Sequence, residues 1–488
     1  MLEIEVYSRT FYLFCILYFC AVCSGLSPFP KLLVVSTDGF RHDYLHHVPT
    51  PNLHLLMKEG VHAPWMKNVF VTKTLPNHFS IMTGLYAESH GIVGNEMFDP
   101  VLNKSFSGEN TPEWWDNGHV MPILLANQLE DGSRVSGEMM WPGGDSLIRN
   151  MKPFYNAAFN ASVSFKERVD IVISWLINEK FPANCIFLYF QEPDHTGHIF
   201  GPNSPEIREK IKLVDSTIGY LIKKLKEAQL YELLNLIILS DHGMTEVADG
   251  NLIEMDSILD PSLYHVSSGS PVWNIRPVDA GKLDNIYNTL KKASKTNHFK
   301  VYKKEEIPDG YHYKNNRRIM PILVEADEGW LLMHNRSKFT GKKGSHGYNN
   351  SLRSMHPLFI ARGPAFKVNF TVKPFNNVDL YPLMCHLLDI HIWPSNGSLE
   401  NVLPMLDIRY DKPVCFSYFN PFVIGILAIL VISVSGILIG AAVLTLSKRN
   451  KVTTVDVNLE TVLPKSKEGL SSKDELKQLL MEGSEDEM

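Results

Sequence analysis

The chain has little of what marks a disulfide-rich protein. Of its 488 residues only six are cysteines, and three of these lie in an apolar stretch at residues 11–25. The other three, Cys185, Cys385 and Cys415, are an odd number, so they cannot all pair within one chain. Cys185 opens a strand-like run and Cys385 lies in an apolar segment, so we expect both to be buried small hydrophobic residues. Stability must then come mainly from the core.

The chain also lacks an excess of positive charge and any repeated segment. Its formal net charge of -6 offers no general basic surface, so we expect no nucleic-acid partner. No internal repeat or low-complexity linker interrupts the stretch between the apolar segments near its two ends. With 44% hydrophobic and 20% charged residues, a chain of this length predicts a globular protein with a substantial core.

The apolar segments near the two ends predict a membrane protein. Residues 11–25 follow Arg9 and end in small residues, as is typical of a secretory signal peptide, so we assign residues 1–25 to one. Two glutamates before this stretch depart from that pattern, and a retained signal anchor is the alternative. Residues 422–446 are uncharged and, at about 1.5 Å per residue, long enough to cross a bilayer core of about 30 Å as a transmembrane helix.

The flank of the second apolar segment predicts the topology. Lys448, Arg449 and Lys451 follow it, and positive charge there places the C-terminus in the cytoplasm. We therefore predict a single-pass type I protein of the plasma membrane, with an extracellular domain over residues 26–418 and a cytoplasmic tail over residues 447–488. Six N-x-S/T triplets precede the span and predict N-glycans, at Asn103, Asn160, Asn335, Asn349, Asn369 and Asn396.

Short apolar runs between these segments predict the fold class. Residues 31–36, 185–190 and 236–240 are rich in β-branched or aromatic side chains and show no polar alternation, as in strands buried on both faces of a parallel sheet. The helical stretches 164–180 and 205–230 separate these runs. The predicted class is therefore α/β.

Acidic and imidazole side chains follow each predicted strand. Asp38 follows the first run, Asp194 and His198 follow the second, and Asp241 and His242 follow the third. Functional groups in open α/β sheets collect beyond the carboxyl ends of the strands. Each motif alone fits an ordinary turn or cap, but their joint occurrence predicts a metal site. Nitrogen and oxygen ligands of this kind suit zinc.

A threonine, Thr74, directly precedes a predicted helix in the segment VFVTKTLPNHFS, residues 69–80. With Pro76 at the first helical position, the exposed N–H groups of the helix would face an anion, and Thr74 would lie beside that anion. An ordinary capped helix is the alternative. A neighbouring metal would lower the pKa of the Thr74 hydroxyl and fix its direction, as attack on phosphorus at neutral pH requires.

At these residues the sequence resembles the nucleotide pyrophosphatase/phosphodiesterase family of ectoenzymes, which is related to the alkaline phosphatase superfamily, and especially its membrane-anchored members 4 and 5. The resemblance implies an alkaline-phosphatase-like sandwich with a central, mostly parallel sheet flanked by helices. It covers nearly the whole predicted extracellular domain, through the segments STDGFRHDYL, NVFVTKTLPNHFSIMTGLYAESHGIVGNEMFDP, MMWPGGD, NASVSFKERV, QEPDHTGHIFGP, LIILSDHGMTE, VEADEGW, SHGYNNSLRSMHP and RGPAF.

The resemblance also implies two zinc ions and a mechanism. Thr74 would attack phosphorus to give a nucleotidyl-threonine intermediate that water then hydrolyses, while Asn95 and the Thr74 N–H bind a non-bridging phosphate oxygen. His346, in the loop-like segment GSHGY, is identified only through the resemblance. One zinc would be held by Asp194, His198 and His346, and the other by Asp38, Asp241, His242 and the Thr74 oxygen.

The sequence departs from the family pattern where relatives hold a nucleobase. Residue 75, usually aromatic in the family, is Leu75, and the opposite wall is Phe159 where nucleotide-cleaving relatives often have tyrosine. Thr37, often phenylalanine in the family, lies beside the expected site. One ring and one aliphatic face predict a weaker clamp on the base, with catalysis preserved.

The predicted function is extracellular zinc-dependent hydrolysis of phosphodiester or pyrophosphate bonds in dinucleoside polyphosphates, NAD-like dinucleotides or nucleoside triphosphates. One alternative is a weakly active or silent cell-surface interaction protein built on a hydrolase scaffold. Another is a choline-phosphate lipid phosphodiesterase, for which Leu75 would be less unfavourable. The full set of predicted ligands favours the enzyme, because an unused site would tolerate their loss.

The segment DELKQLL in the predicted tail generates a first prediction. Glu475, Leu479 and Leu480 match an acidic dileucine signal that binds a sorting adaptor and predicts endosomal cycling, although a short amphipathic helix would show the same pattern. Replacing both leucines with alanine should raise surface abundance, measured by surface biotinylation and antibody uptake. Unchanged endocytosis would favour the helix.

Overall fold

The computed structural model describes residues 26–339 and 341–409, and the elements of this region are numbered in chain order. The strands are β1 Lys31–Thr37, β2 Val61–His62, β3 Met97–Asp99, β4 Lys104–Phe106, β5 Ser136–Met139, β6 Tyr155–Ala157, β7 Cys185–Phe190, β8 Leu234–Leu239, β9 Thr245–Glu246, β10 Leu252–Glu254, β11 Tyr264–Val266, β12 Val272–Pro277, β13 Phe299–Lys303, β14 Ile322–Ala326, β15 Leu331–Met333, β16 Gly344–Ser345, β17 Phe359–Arg362 and β18 Phe370–Thr371. The α-helices are α1 Pro51–Glu59, α2 Thr74–Thr83, α3 Ala87–His90, α4 Pro112–Trp115, α5 Ile123–Glu130, α6 Phe165–Leu176, α7 Asp194–Phe200, α8 Pro205–Glu227, α9 Leu283–Ala293 and α10 Leu380–Leu388.

The central sheet has the strand order β18-β2-β17-β8-β1-β7-β5-β6. β1 lies between β7 and β8 and is parallel to both, so that Leu33 lies opposite Ile186 on one side and Leu236 on the other. β17 runs antiparallel to β8 and β2, and the other pairs in this sheet are parallel. The predicted α/β class with a mostly parallel sheet is confirmed.

The three strands predicted from apolar runs are buried because helices cover both faces of the sheet. β7 and β8 are buried throughout, and β1 is buried from its second residue on. Helices α2, α5 and α10 pack against one another, and α1 and α6 each pack against α8. Because α5 and α6 both contact β5 and β7 without packing together, these two groups lie on opposite faces.

The two helices expected over residues 164–180 and 205–230 are present as α6 and α8, and each starts at a serine cap. The Ser164 hydroxyl accepts a hydrogen bond from the Glu167 N–H at 3.3 Å, and the Glu167 carboxylate accepts one from the Ser164 N–H at 2.7 Å. The Ser204 hydroxyl accepts one from the Ile207 N–H at 3.2 Å. Each cap satisfies N–H groups that the first helical turn leaves unpaired.

A smaller antiparallel sheet is inserted after β9, with the order β11-β12-β14-β13. It has its own core, which includes Trp273, Ile275 and Val324, and helix α9 contacts its strand β13. The chain leaves the main layer through β9 and returns through β16, and these two strands pair antiparallel, with Ser345 opposite Thr245. The insertion therefore ends next to the point where it begins, close to the carboxyl end of β8.

The remaining sequence predictions concern cysteines and membrane segments. Cys185 and Cys385 are buried and free, as expected for small hydrophobic residues, whereas Cys415 lies outside the described residues. Over residues 26–339 and 341–409, no helix is both long and apolar enough to cross a membrane. The predicted signal peptide, transmembrane helix and tail fall outside those ranges.

A buried ion pair ties the insertion to the main layer. The Arg318 guanidinium donates to Asp99 Oδ2 at 2.8 Å and to the carbonyls of Gly91 and Trp114 at 2.8 and 2.9 Å. The Asp99 side chain is fully buried, and Arg317 also donates to it. Burial acts to raise the pKa of Asp99, but hydrogen bonds from the two arginines outweigh it and hold that pKa well below its ordinary value.

We therefore predict that Asp99→Ala lowers the free energy of unfolding by about 3 to 5 kcal/mol, because it leaves buried Arg318 without its partner. Denaturant unfolding of the purified chain measures this. Asp407→Ala, which removes a surface pair with the exposed Arg409, is the matched control and should change stability little. The depressed pKa also implies that the Asp99 contribution, present above the ordinary aspartate pKa, is lost as the pH falls. Equal effects of the two substitutions would contradict this assignment.

Candidate active site

The parallel register brings the predicted ligands to one edge of the central sheet. Asp38 directly follows β1, Asp241 lies two residues beyond β8, and Asp194 is the first residue of α7, a short turn beyond β7. The Asp194 N–H donates to the Asp38 carbonyl at 3.0 Å. Gly39 has a φ of +67°, and a Cβ there would lie 2.8 Å from the Asp194 Cβ. A glycine therefore allows these two loops to approach each other.

The side chains form two overlapping groups suited to metal binding. Asp38, Asp241 and His242 form one group, with His242 Nε2 at 3.3 Å from Asp38 Oδ1 and 3.0 Å from Asp241 Oδ2. Asp194, His242 and His346 form the other group. The rings of His242 and His346 are stacked with their centroids 3.5 Å apart. His242 therefore lies within reach of both groups, whereas the resemblance implied that it serves only the first.

His198, the remaining predicted ligand, adjoins the second group. Its Nε2 lies 3.4 Å from Asp194 Oδ2 and 3.1 Å from His346 Nε2. All six side chains predicted as zinc ligands thus lie together, including His346, which follows the short strand β16.

The three histidines are oriented alike by backbone carbonyls. Nδ1 of His198 lies 2.9 Å from the Gly344 carbonyl, Nδ1 of His242 lies 2.8 Å from the Gly243 carbonyl, and Nδ1 of His346 lies 2.8 Å from the Thr72 carbonyl. A neutral ring in this position donates its Nδ1–H and presents the Nε2 lone pair to the cluster. Metal-binding histidines are commonly fixed in this way.

Three carboxylate oxygens face the same space without donors. Asp38 Oδ1, Asp194 Oδ1 and Asp241 Oδ2 are buried and accept no hydrogen bond from the part of the chain that the structure describes. Burial raises the pKa of Asp38 well above its ordinary value, and the charges of Asp241 and Asp194 raise it further. Burial lowers the pKa of His198 to about 4. Burial also acts to lower the pKa of His242, but the charge of Asp241 outweighs it and raises that pKa. Imidazole nitrogens and crowded carboxylates fit a divalent cation, which would bind their lone pairs and offset the repulsion between the carboxylates.

Thr74 lies at the edge of this cluster, at the start of a helix. Helix α2 begins at Thr74 itself, with Lys73 as its cap, so Pro76 is the third helical residue and the prediction that it comes first is wrong. Thr74 Oγ1 lies 3.3 Å from His242 Nε2. The hydroxyl therefore lies both at the positive end of a helix and beside the candidate ligands.

Asn95 holds the first turn of that helix. Its side-chain oxygen accepts a hydrogen bond from the Leu75 N–H at 2.9 Å, so this N–H is occupied. Because the side-chain oxygen of Asn95 already accepts this hydrogen bond, its NH₂ group remains to donate a hydrogen bond to a ligand.

A cavity of about 380 Å³, here called the base cavity, opens beside Thr74 and includes both residues predicted to hold a base. Leu75 is half-buried on its lining, and the Phe159 side chain is 55% exposed. Thr37, which the family comparison placed beside the site, is buried at the end of β1 and donates to the Leu239 carbonyl at 3.4 Å. It is not on the lining of this cavity.

Two residues that the sequence did not single out support the cluster. The Tyr189 hydroxyl donates to Asp38 Oδ2 at 2.6 Å, and Nδ1 of His78 lies 2.9 Å from the Thr74 carbonyl. The sequence contains a pattern that could have indicated each of them. His78 lies four residues after Thr74 and therefore on the same face of the helix, and Tyr189 carries the hydroxyl in an otherwise apolar strand. Lys73 was also missed, and burial lowers its pKa to about 7.

The mostly parallel sheet carries imidazole and carboxylate side chains at its carboxyl edge, beside a hydroxyl at the start of a helix. This arrangement fits a hydrolytic enzyme with an alkaline-phosphatase-like α/β fold, the fold that the solved relatives below support. The chain belongs to the type I phosphodiesterase/nucleotide pyrophosphatase family, whose model matches residues 32–349. It is thus a phosphodiesterase or pyrophosphatase that acts on nucleotides.

Individual relatives agree with this assignment. The human ectonucleotide pyrophosphatase/phosphodiesterase family member 5 is 47% identical over 79% of this chain and 80% of its own length. A human bis(5'-adenosyl)-triphosphatase is 46% identical over 77% of this chain and 82% of its own. Murine ectonucleotide pyrophosphatase/phosphodiesterase 5, solved as an inactive threonine-to-alanine variant in complex with AMP, has a TM-score of 0.73 and 48% identity, and the match covers 77% of this chain and 100% of that one.

Metal content provides a test of the ligand cluster. Asp194→Ala removes an oxygen that faces the cluster and leaves His198 and His346 without the carboxylate beside them, so we expect a lower content of bound divalent metal and a lower melting temperature. Metal analysis and calorimetry of the purified full chain measure these effects. Asp249→Ala, at an exposed surface pair with Lys343, is the control. Unchanged metal content in Asp194→Ala would refute the assignment.

Proposed function

We propose that this protein is a zinc-dependent ectoenzyme of the plasma membrane that hydrolyses dinucleoside polyphosphates, NAD-like dinucleotides and nucleoside triphosphates through Thr74. The observation that carries the proposal is the position of Thr74, whose Oγ1 lies 3.3 Å from His242 Nε2 while the residue also lines the base cavity. A nucleophile, metal ligands and a place for a base thus adjoin one another.

The donor set fits two zinc ions. Asp194, His198 and His346 would hold one, and Asp38, Asp241 and His242 would hold the other together with the Thr74 oxygen. Bound zinc would supply positive charge that lowers the pKa of the Thr74 hydroxyl and stabilises the phosphate in the transition state.

The residues of the chain itself place the reacting groups. Helix α2 and the contact between His78 and the Thr74 carbonyl fix Thr74, whose Oγ1 attacks phosphorus as the bond to the leaving oxygen breaks. The Asn95 NH₂ group and the Thr74 N–H donate to a non-bridging oxygen on which charge develops. Water then hydrolyses the nucleotidyl-threonine ester and restores the hydroxyl.

Two relatives support this mechanism and substrate class. The related human protein is a bis(5'-adenosyl)-triphosphatase, and the murine structure is a threonine-to-alanine variant described as inactive and bound to AMP. For this chain we propose by analogy that Thr74 is the essential threonine and that an adenosine moiety occupies the base cavity.

A choline-phosphate lipid is the runner-up substrate, and one observation favours it. Choline binding needs negative charge and aromatic faces, and the base cavity includes Glu138 and Asp145 as well as Phe159. However, Glu138 accepts hydrogen bonds from the N–H groups of Trp141 and Ala157 at 3.0 and 2.9 Å, and burial raises its pKa to about 8. Its charge is therefore poorly placed to hold a cation, and nucleotides remain the better substrate class.

A substrate panel on the purified full chain with zinc tests the proposal. We expect diadenosine triphosphate, NAD and ATP to be cleaved with AMP among the products, and a choline phosphodiester to be cleaved much more slowly. Preferred cleavage of the choline ester would show that the protein is a choline-phosphate lipid phosphodiesterase. Cleavage of none would favour an interaction protein.

The mechanism predicts that Thr74→Ala lowers kcat for every substrate by about 10³-fold or more, because the covalent nucleophile is lost. Folding should change little, since losing a hydroxyl at a helix start costs at most about 2 kcal/mol. Thr74→Ser keeps the hydroxyl and should retain measurable turnover. If the alanine variant turns over substrate at the wild-type rate, Thr74 is not the nucleophile.

The base cavity generates a second prediction. Stacking on an aromatic ring is worth about 1 to 3 kcal/mol per base, and a leucine lacks the extended flat face. Leu75→Phe should therefore raise kcat/KM for nucleotides by roughly 5-fold to 100-fold, mostly through KM, because the base is remote from phosphorus. Phe159→Ala should act in the opposite direction.

An aryl phosphodiester without a base is the control substrate for both variants. Its kcat/KM should change much less than that of diadenosine triphosphate. If both substrates shift equally, Leu75 and Phe159 do not form a base clamp.

A further inference from the structure

Phe159, the one ring predicted to hold a base, lies in an irregular connection between β6 and α6. Its side chain is 55% exposed at the base cavity, so less than half of it packs against the protein. The next residues, Asn160 and Ala161, are exposed as well. An exposed ring on such a connection binds a base well only if other contacts fix its direction in advance.

A buried guanidinium provides such contacts. Arg168 of α6 is fully buried, and its Nε donates to the Val163 carbonyl at 3.1 Å. Its two terminal nitrogens donate to the carbonyls of Tyr189 at 3.0 Å and of Asn160 at 3.4 Å. Val163 and Asn160 belong to the connection that carries Phe159, whereas Tyr189 belongs to β7. Arg168 therefore joins this connection to a central strand of the sheet.

The same cation contacts the ring itself. The guanidinium carbon of Arg168 lies over Phe159 at 5.6 Å from the ring centroid, and over Phe165 at 5.3 Å. Phe165 packs on the buried Phe190, with ring centroids 4.5 Å apart, and Phe159 meets Tyr189 edge-on at 6.1 Å. A cation over one face of an aromatic ring attracts that face and leaves the opposite face available for a base.

The charge of Arg168 makes its hydrogen bonds strong. No carboxylate lies within ion-pair distance of it in the ranges 26–339 and 341–409, although the side chain is fully buried. A guanidinium stays protonated in proteins, so the three carbonyls must replace the water around its charge. Hydrogen bonds from a charged donor are roughly twice as strong as those from a neutral one. The carbonyls of Asn160 and Val163 are therefore held firmly.

Arg134 offers a comparison of the same chemistry at another place. It donates to the Leu388 carbonyl at 2.8 Å and lies over Phe29 at 4.4 Å from the ring centroid. It is buried as well, but neither it nor these partners line the base cavity. Substitution of Arg134 therefore removes a similar set of buried contacts without reaching the base.

We propose that Arg168 is a positioning residue that holds Phe159 against the base and so determines how strongly the enzyme prefers substrates that carry one. The proposal rests on the function proposed above. Because Leu75 offers no ring on the opposite wall, the base depends on Phe159 for a flat stacking face. Arg168 is not on the lining of the base cavity, so it acts through the ring and its connection.

The test compares a substrate with a base and one without. In the full chain, Arg168→Met keeps the apolar stem and removes the donors. The kcat/KM for diadenosine triphosphate, divided by that for bis(p-nitrophenyl) phosphate, should fall by about 5-fold to 50-fold as stacking is lost. The fall should lie in KM, because the base is remote from phosphorus. Arg134→Met should leave this ratio as in the wild type, even where it lowers the melting temperature equally.

A double variant shows whether Arg168 acts through Phe159. If it does, adding Arg168→Met to Phe159→Ala should change the ratio no further, since the two residues then affect one contact. Independent action would multiply the two effects. Arg168→Lys keeps the charge but loses the fork of donors, so the ratio should fall by only about 2-fold to 10-fold. This variant decides the question if Arg168→Met does not fold.

Binding gives a readout apart from turnover. In the Thr74→Ala background, AMP should bind Arg168→Met about 5-fold to 50-fold more weakly than Arg134→Met in titration calorimetry, and inorganic phosphate should bind both alike. An unchanged substrate ratio in the folded Arg168 variant, an equal loss for both substrates, or multiplied effects in the double variant would overturn the inference and leave the proposed function intact. Absence of cleavage of diadenosine triphosphate by the wild type would overturn both.

Discussion

Mutual repulsion among three buried carboxylates is the constraint on which the rest of the site depends. Asp38, Asp194 and Asp241 each direct an oxygen without a hydrogen-bond donor into one space at the carboxyl edge of the sheet. Such an arrangement is unfavourable unless cations occupy it. The imidazoles around it are each fixed through Nδ1 by a backbone carbonyl, so that Nε2 faces the carboxylates. The fold thus holds at this edge a set of nitrogen and oxygen ligands that a bound metal would stabilise.

The surroundings of Thr74 divide into an apolar side and a cationic side. On the first side Leu75 and Phe159 line the base cavity, where contact area can hold a base without directing chemistry. On the second side Lys73 and Lys342 line a separate cavity, and the two linings share no residue.

The inserted antiparallel layer contributes to the site although its own core is separate. Pairing of β16 with β9 returns the chain to the edge of the main sheet and presents His346 there, directly after Ser345. The buried Arg318 and Asp99 pair joins the segment leading to β14 with the loop that carries Asn95. The insertion is therefore joined to the surroundings of the site at two points.

The sequence by itself determined the buried strands and the acidic and imidazole residues that follow them, because an unbroken apolar run is a local property and parallel strands end at a common edge. It placed the start of α2 two residues too late, since proline is compatible with several positions of a first helical turn. His346 needed the family resemblance, as its contact with the Thr72 carbonyl spans most of the chain. Only the tertiary structure decided that Lys73 and Lys342 share a cavity and that Tyr189 supports Asp38, because such contacts follow from packing between distant segments and leave no periodic trace in the sequence.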